Sequence, residues 1–487
     1  MAGKKLPNPN PPPITIHKDR NLQNSSSSGK DNIQKNTHYD KVSLSLSGGG
    51  FRASLFHLGA IGYLKSVGLL ELVDEISSVS GGSILAGHLV ANWHDYAASD
   101  TSRFETKSKE FVDWINSANI SGCALKRHKL KDIFALRTLD SEELVEAYKG
   151  LLSGSGAVPT WEDLAKKRGN VPSLFILATL LSTGEAGAFS PEGFKPIQSP
   201  IMPSRKQESD NHISLLFTDR AQQEIKRHSI ARAIAASSAF PPLFKPLSLS
   251  AQGVQYHLTD GGVFDNSGVR WLQNYHMSNS AAGNTSQVKR LVIASDAGRL
   301  FPFDVSGEYD DVLSLAMRVS DTQAYRISAS DLEIAREFYS SNNGTDFAVV
   351  AIHERWGSEG DHSWTVQDLV GQLRTELDEF HEAEILSLYR HGYLVAMKAV
   401  SPLLGEESTA SLELATVKFS PVRDKFSPEE ITEQLTKGKE SKNAANFKKR
   451  MVHTAAKHLV TMLLISLFIG VGLTLLVQEF FSWWAPP

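Results

Sequence analysis

The amino-acid sequence predicts an α/β fold with a parallel-rich central sheet flanked by helices, on three observations. A strand, a glycine turn and a helix follow one another twice between Lys41 and Tyr96. Further apolar strands run into small or acidic residues at Thr259 to Gly262 and at Ser295 to Gly298. The 487-residue chain is 41% apolar and 21% charged, a composition that buries a sizeable core.

In the first unit, Val42, Leu44 and Leu46 alternate with Ser43, Ser45 and Ser47, which predicts a strand with one buried face. Gly48-Gly49-Gly50 turns the chain, and Leu55, Leu58, Ile61 and Leu64 then recur at helical spacing. In the second unit, Glu75 to Val79 is a short strand, Ser80-Gly81-Gly82-Ser83 a tight turn, and Ile84 to Tyr96 a helix. Downstream, the pattern predicts strands over Leu174 to Thr179, Gln255 to Leu258, Leu291 to Ala294 and Phe347 to Ile352. Helices are expected over Ser229 to Ala239 and Ser387 to Val400, and a surface loop over Ser278 to Gln287. There are no internal repeats.

Four segments are expected. Residues 1–39 hold a proline run and a serine run without the apolar stretch of a secretion signal, so they read as a disordered leader. Residues 40–400 form the folded domain, and 401–450 a polar linker with at most one marginal helix. Residues 451–487 read as a C-terminal membrane anchor. Its uncharged run, 459–477, would span ~28 Å as a helix, close to the thickness of a bilayer core. Lys448, Lys449, Arg450 and Lys457 precede the run and Glu479 follows it, which orients the folded domain to the cytoplasmic side. Phe480, Phe481, Trp483 and Trp484 suit the membrane interface. The net charge of −4 argues against nucleic acid as a partner. The single cysteine, Cys123, permits no internal disulfide or cysteine metal site and reads as inert packing.

Three short motifs carry chemistry. A serine hydroxyl becomes a nucleophile when a sharp strand-to-helix turn exposes it, and that turn needs small residues two before and two after. Around Ser80 these are Ser78 and Gly82, so Ser78 stands where G-x-S-x-G has its first glycine. Taken alone, the turn also reads as a helix cap. Gly48, Gly49 and Gly50 before a helix offer backbone N–H groups to an oxyanion, and Arg52 is placed to steady that loop or meet an anionic phosphate. Gly48-x-Gly50-x-x-Ala53 also fits a dinucleotide fingerprint, with Glu71 or Asp74 as its acid. A nucleoside-triphosphate loop is excluded because no Gly-Lys-Ser/Thr follows. Asp260 closes a strand before Gly261-Gly262, where an open parallel sheet places ligand groups, or where a plain Asp-Gly turn would stand. His57 and His88 are the histidines nearest the serine in sequence; His88 lies about 12 Å down its own helix, and both read as satisfied structural residues.

Ser47-Gly-Gly-Gly-Phe-Arg52, Ser78-Val-Ser-Gly-Gly82 and Asp260-Gly-Gly262, in that order, resemble the patatin-like phospholipases, whose catalytic core is shared with the cytosolic phospholipase A2 group. Ala235 to Phe244 resembles the family's segment shortly before its catalytic aspartate. The resemblance covers about Lys41 to Val400. It implies a three-layer hydrolase domain with a Ser80–Asp260 dyad, no histidine and no cofactor or metal. In that scheme Ser80 attacks the acyl carbonyl, Asp260 moves the proton, Gly48 to Gly50 hold the oxyanion and Arg52 supports them. Ser78, and Ala53 where a glycine is common, depart from the pattern without removing a reacting group. Asp265 and Asp296 read as structural. The expected activity is cleavage of fatty-acyl esters of membrane phospholipids by a bilayer-anchored enzyme. The alternatives are an acyl hydrolase acting on neutral lipid or thioester, a catalytically silent membrane adaptor of the same fold, and a nicotinamide oxidoreductase.

Overall fold

A computed structural model of the chain describes residues 38–118, 120, 139–154, 156–196, 218–241, 243–281, 288–298, 312–342, 344–357, 364–405 and 417–439. The expected membrane span, most of the leader and Cys123 lie outside the described residues. Among the described residues, no helix is long and apolar enough to cross a membrane.

The centre is a nine-stranded sheet. Its strands are β1 Lys41–Leu46, β2 Val73–Ser78, β3 Ser173–Leu180, β4 Glu185–Ser190, β5 Gly193–Pro196, β6 Leu247–Ala251, β7 Val254–Asp260, β8 Arg290–Asp296 and β9 Thr345–Ala351. Strands β3, β2, β1, β8 and β9 run parallel in that spatial order, while β4, β5, β6 and β7 add antiparallel pairs at the β3 side. The parallel-rich α/β class is therefore present.

Helix α1, Gly50–Ser66, follows β1, and α2, Gly81–Ala91, follows β2. The latter ends at Ala91 instead of continuing to Tyr96; Trp93–Tyr96 forms a separate turn of helix. Almost every residue of α1 is buried. It packs between the sheet and α5, Glu382–Val400, so its apolar positions are not confined to one stripe. Helices α3, Ile230–Ser237, and α4, Val269–Ala281, complete the frame of the site. Helix α4 extends to Ala281, into the stretch expected to begin a loop at Ser278. Within the expected linker, α6, Pro428–Lys437, is capped by Ser427 and Glu430 and buries Ile431 and Leu435.

Two further sequence expectations differ from the structure here. The serine face of β1 is buried like its apolar face, because its hydroxyls have partners. Ser45 Oγ donates to the Ser267 carbonyl, and Ser77 Oγ of β2 donates to the Gly268 carbonyl at 2.8 Å. These small polar residues let the 265–268 loop lie directly on the sheet. The strand carrying Asp260 is antiparallel to β3, not a member of the parallel set. On β3, Ser78 of β2 pairs with Ile176, and Asp260 of β7 pairs with Ala178 two residues further along. Strands β2 and β7 thus approach each other end to end, and this register is what delivers Asp260 to the turn after Ser78.

Candidate active site

Ser80 stands at the β2–α2 turn with φ 47° and ψ −116°. For a residue with a Cβ this is a sparsely populated conformation, held only where the surroundings over-determine it. Four contacts do so. The Ser80 N–H donates to Ser237 Oγ of α3 at 2.9 Å. Ser237 Oγ in turn hydrogen-bonds Ser83 Oγ at 3.0 Å, and Ser83 Oγ donates to Ser78 Oγ at 3.2 Å. Ser78 Oγ donates to the Phe175 carbonyl at 3.1 Å. The residue that replaces the first elbow glycine is therefore part of a hydroxyl chain beneath the nucleophile turn.

The Ser80 side chain neighbours the Asp260 carboxyl and acts on it as a hydrogen-bond partner does, holding its pKa down. Asp260 is anchored at both ends of its residue: its N–H donates to the Ala239 carbonyl at 3.2 Å, and its Oδ1 accepts from the Gly262 N–H at 2.7 Å. The segment Ala235 to Phe244 thus holds the serine through Ser237 and the aspartate through Ala239. Burial raises the Asp260 carboxyl from its ordinary 3.8 to about 7, against the smaller opposing effects of the Gly262 and Ser80 hydrogen bonds. A carboxylate of that basicity is matched to accepting a proton near neutral pH.

Neither early histidine serves the serine. His57 is fully buried with its ring nitrogens against Ser295 Oγ at 2.7 Å and the Ser47 carbonyl at 3.0 Å. Burial lowers it to about 4. His88 Nδ1 meets Tyr96 Oη at 3.1 Å, and burial lowers it to about 3. Both are neutral structural residues.

The glycine turn divides by role. The Gly48 N–H is committed, donating to the Asn266 carbonyl at 2.9 Å, which corrects its expected place among the oxyanion donors. The N–H groups of Gly49 and Gly50 have no protein partner among the described residues. Gly49 and Gly50 adopt φ 134° and 60°, and Gly50 lies so close to the Thr375 carbonyl that a side chain would collide with it. Gly81, the residue after Ser80, packs against the Gly50 backbone, and its N–H has no backbone partner among the described residues. The first residues of α1 and α2 therefore meet beside Ser80, and two helix N-termini direct partial positive charge there. The G-x-S-x-G reading itself contains the signal for Gly81, since the residue after such a serine supplies an oxyanion donor.

Arg52 is fully buried. Its guanidinium donates to the carbonyls of Gly371 at 3.2 Å, Leu373 at 2.9 Å and Ala297 at 2.7 Å. Through these three bonds it ties the first turn of α1 to the 371–373 segment and to Ala297 after β8. The segment it grips is held from behind by Arg374, paired with Glu384 at 2.7 Å, while the Gly438 carbonyl beyond α6 accepts from the Arg374 N–H at 3.1 Å. Asp265 and Asp296 are structural, as expected. Asp265 accepts from the N–H groups of Ser267 and Gly268, and Asp296 from that of Gly298. Among the described residues, no cluster of side chains suits a metal ion.

Residues 44–271 match the patatin-like phospholipase family. Among solved structures, the chain is similar to human GIVD cytosolic phospholipase A2 in complex with methyl gamma-linolenyl fluorophosphonate, at 14% identity over 80% of this chain and 59% of that one, with a TM-score of 0.43. A complex of the same human protein with that inhibitor and terbium chloride gives 15% identity over 75% and 59%, with a TM-score of 0.38. VipD from Legionella pneumophila gives 14% identity over 82% and 74%, with a TM-score of 0.29. The chain thus spans about 59% of the length of these cytosolic phospholipase chains. No curated protein matches the sequence.

Proposed function

We propose, for a chain that carries a patatin-like phospholipase domain over residues 44–271, that it hydrolyses fatty-acyl esters of phospholipids through Ser80 and Asp260. The observation that carries this reading is the strained Ser80 turn within reach of a buried carboxyl raised to about 7. Asp260 takes the Ser80 proton as Oγ bonds to the acyl carbon, and the carbonyl oxygen becomes an oxyanion. The N–H groups of Gly49, Gly50 and Gly81 receive that charge, aided by the two helix N-termini. Collapse breaks the ester bond, and the proton passes from Asp260 to the departing alcohol. Water then repeats the sequence on the acyl-enzyme and releases the fatty acid. The apolar run 459–477 supports a bilayer as the partner, since a tethered enzyme meets lipid at high effective concentration.

The base must be ionised to act. Acyl release is expected to fall tenfold per pH unit below about 7 and to level off above it. A profile of kcat/KM that stays flat from pH 5 to 8, on a protein folded throughout, would remove Asp260 from the role of base. Fatty-acid release from phospholipid vesicles, triacylglycerol emulsions and acyl-thioesters by the full chain tests the substrate class. Phospholipid is expected to be the preferred substrate; preference for either of the others would reassign it.

A further inference from the structure

The sequence patterns assign no part to Asn266. It lies on the 265–268 loop that the serines of β1 and β2 hold against the sheet, and its carbonyl takes the Gly48 N–H. Its side chain is half-buried and makes no hydrogen bond to any described residue. Three separate segments make room for it. A side chain at Gly48 would collide with Asn266 Oδ1, one at Gly262 would meet the same atom at 2.7 Å, and one at Gly298 would approach Nδ2 at 3.5 Å. Gly48 is also the glycine whose added Cβ would lie 3.3 Å from Ser80 Cβ, and Gly262 the one whose added Cβ would lie 3.1 Å from Asp260 Oδ1. The amide oxygen therefore lies near both the nucleophile turn and the base. Part-buried amides are ordinarily partnered, and this one is cleared of side chains on three sides.

We infer that Asn266 Oδ1 accepts a hydrogen bond from the water that resolves the acyl-enzyme. This rests on the Ser80–Asp260 reading and adds a residue to its second half. The water donates one hydrogen to Asn266 Oδ1 and the other to the Asp260 carboxylate. Its oxygen attacks the acyl carbon as Asp260 takes the proton. The acyl carbon–Oγ bond then breaks, Asp260 returns the proton to Ser80 Oγ, and the carboxylic acid leaves. Acylation needs no water, so Asn266 acts after the first product has gone.

The test is rapid-mixing kinetics of the full chain and its Asn266→Ala variant on a p-nitrophenyl acyl ester. Asn266→Ala is expected to release the first equivalent of p-nitrophenol at the wild-type rate and then turn over slowly. The steady-state rate should fall on the order of 10²-fold, as for a misplaced reactant. Asn266→Ser keeps a small acceptor and should fall between the two. Thermal melting and the rate of Ser80 labelling by a fluorophosphonate report whether each variant retains a folded, acylation-competent site. An Asn266→Ala enzyme with wild-type turnover, or one whose burst and labelling slow in step with turnover, overturns the inference. Absence of ester turnover and of Ser80 labelling in the wild-type protein would instead overturn the hydrolase reading beneath it.

Discussion

Ser80→Ala is expected to abolish acyl release, by about a millionfold if the serine acts as a covalent nucleophile whose removal leaves only binding and oxyanion stabilisation. Asp260→Asn should lose on the order of 10²- to 10⁴-fold or more, the range for a general base. The second variant also carries an internal control for folding. The folded state holds the Asp260 proton up to about pH 7, whereas the ordinary value for an aspartate is 3.8. A raised carboxyl pKa means that stability is greatest below the unfolded value and declines as pH rises from about 4 to about 7. Asparagine has no proton to lose, so above about pH 7 the Asp260→Asn protein should be more stable than wild type, on the order of a few kcal/mol. A folded, more stable and inactive Asp260→Asn protein separates chemistry from folding. Full activity in either folded variant would reject the dyad.

Gly50→Ala is the second large effect. Position 50 combines φ 60° with a Cβ direction that runs into the Thr375 carbonyl. That carbonyl has little room to retreat, because Arg374 is clamped to Glu384, and the Phe51 N–H already bonds the Glu376 carbonyl at 3.4 Å. The glycine turn must move instead, taking the Gly49 and Gly50 N–H groups off the oxyanion. Loss of such a donor costs roughly 10²–10³ in kcat. Gly184→Ala is the matched control. It also has positive φ, at 73°, but nothing stands within 4 Å, so it should cost only the ~1–2 kcal/mol of a left-handed side-chain residue and leave kcat unchanged. Equal kcat in Gly50→Ala and wild type would remove the glycine turn from the chemistry.

The parts of the fold legible in the sequence are those with a local cause. Strand β8 is an apolar run ended by an acid and β1 an apolar–serine alternation ended by the glycine turn, so each announces itself together with its turn. Strands β4 and β5 are short, and β4, Glu185–Ser190, contains Gly187 and two alanines where strand formers are expected. The direction of β7 is set by pairing with β3 over a gap of about eighty residues, which no local pattern encodes. The same holds within the site. Ser80, Asp260, Gly49, Gly50 and Arg52 occur in recognisable motifs. Ser237 and Asn266 owe their positions to partners elsewhere in the chain. Asn266, between Asp265 and Ser267, reads locally as an ordinary polar turn. Gly48 is the converse case, a motif residue whose amide a distant carbonyl has already taken.

The most direct measurement is the mass of the Ser80 peptide after the full chain is exposed to a long-chain alkyl fluorophosphonate and digested. The account predicts one adduct, on the peptide containing Ser80, formed in step with loss of lipid release and strongly slowed in Asp260→Asn. Adduct on another residue, or lipid release that persists after Ser80 is fully modified, would contradict it.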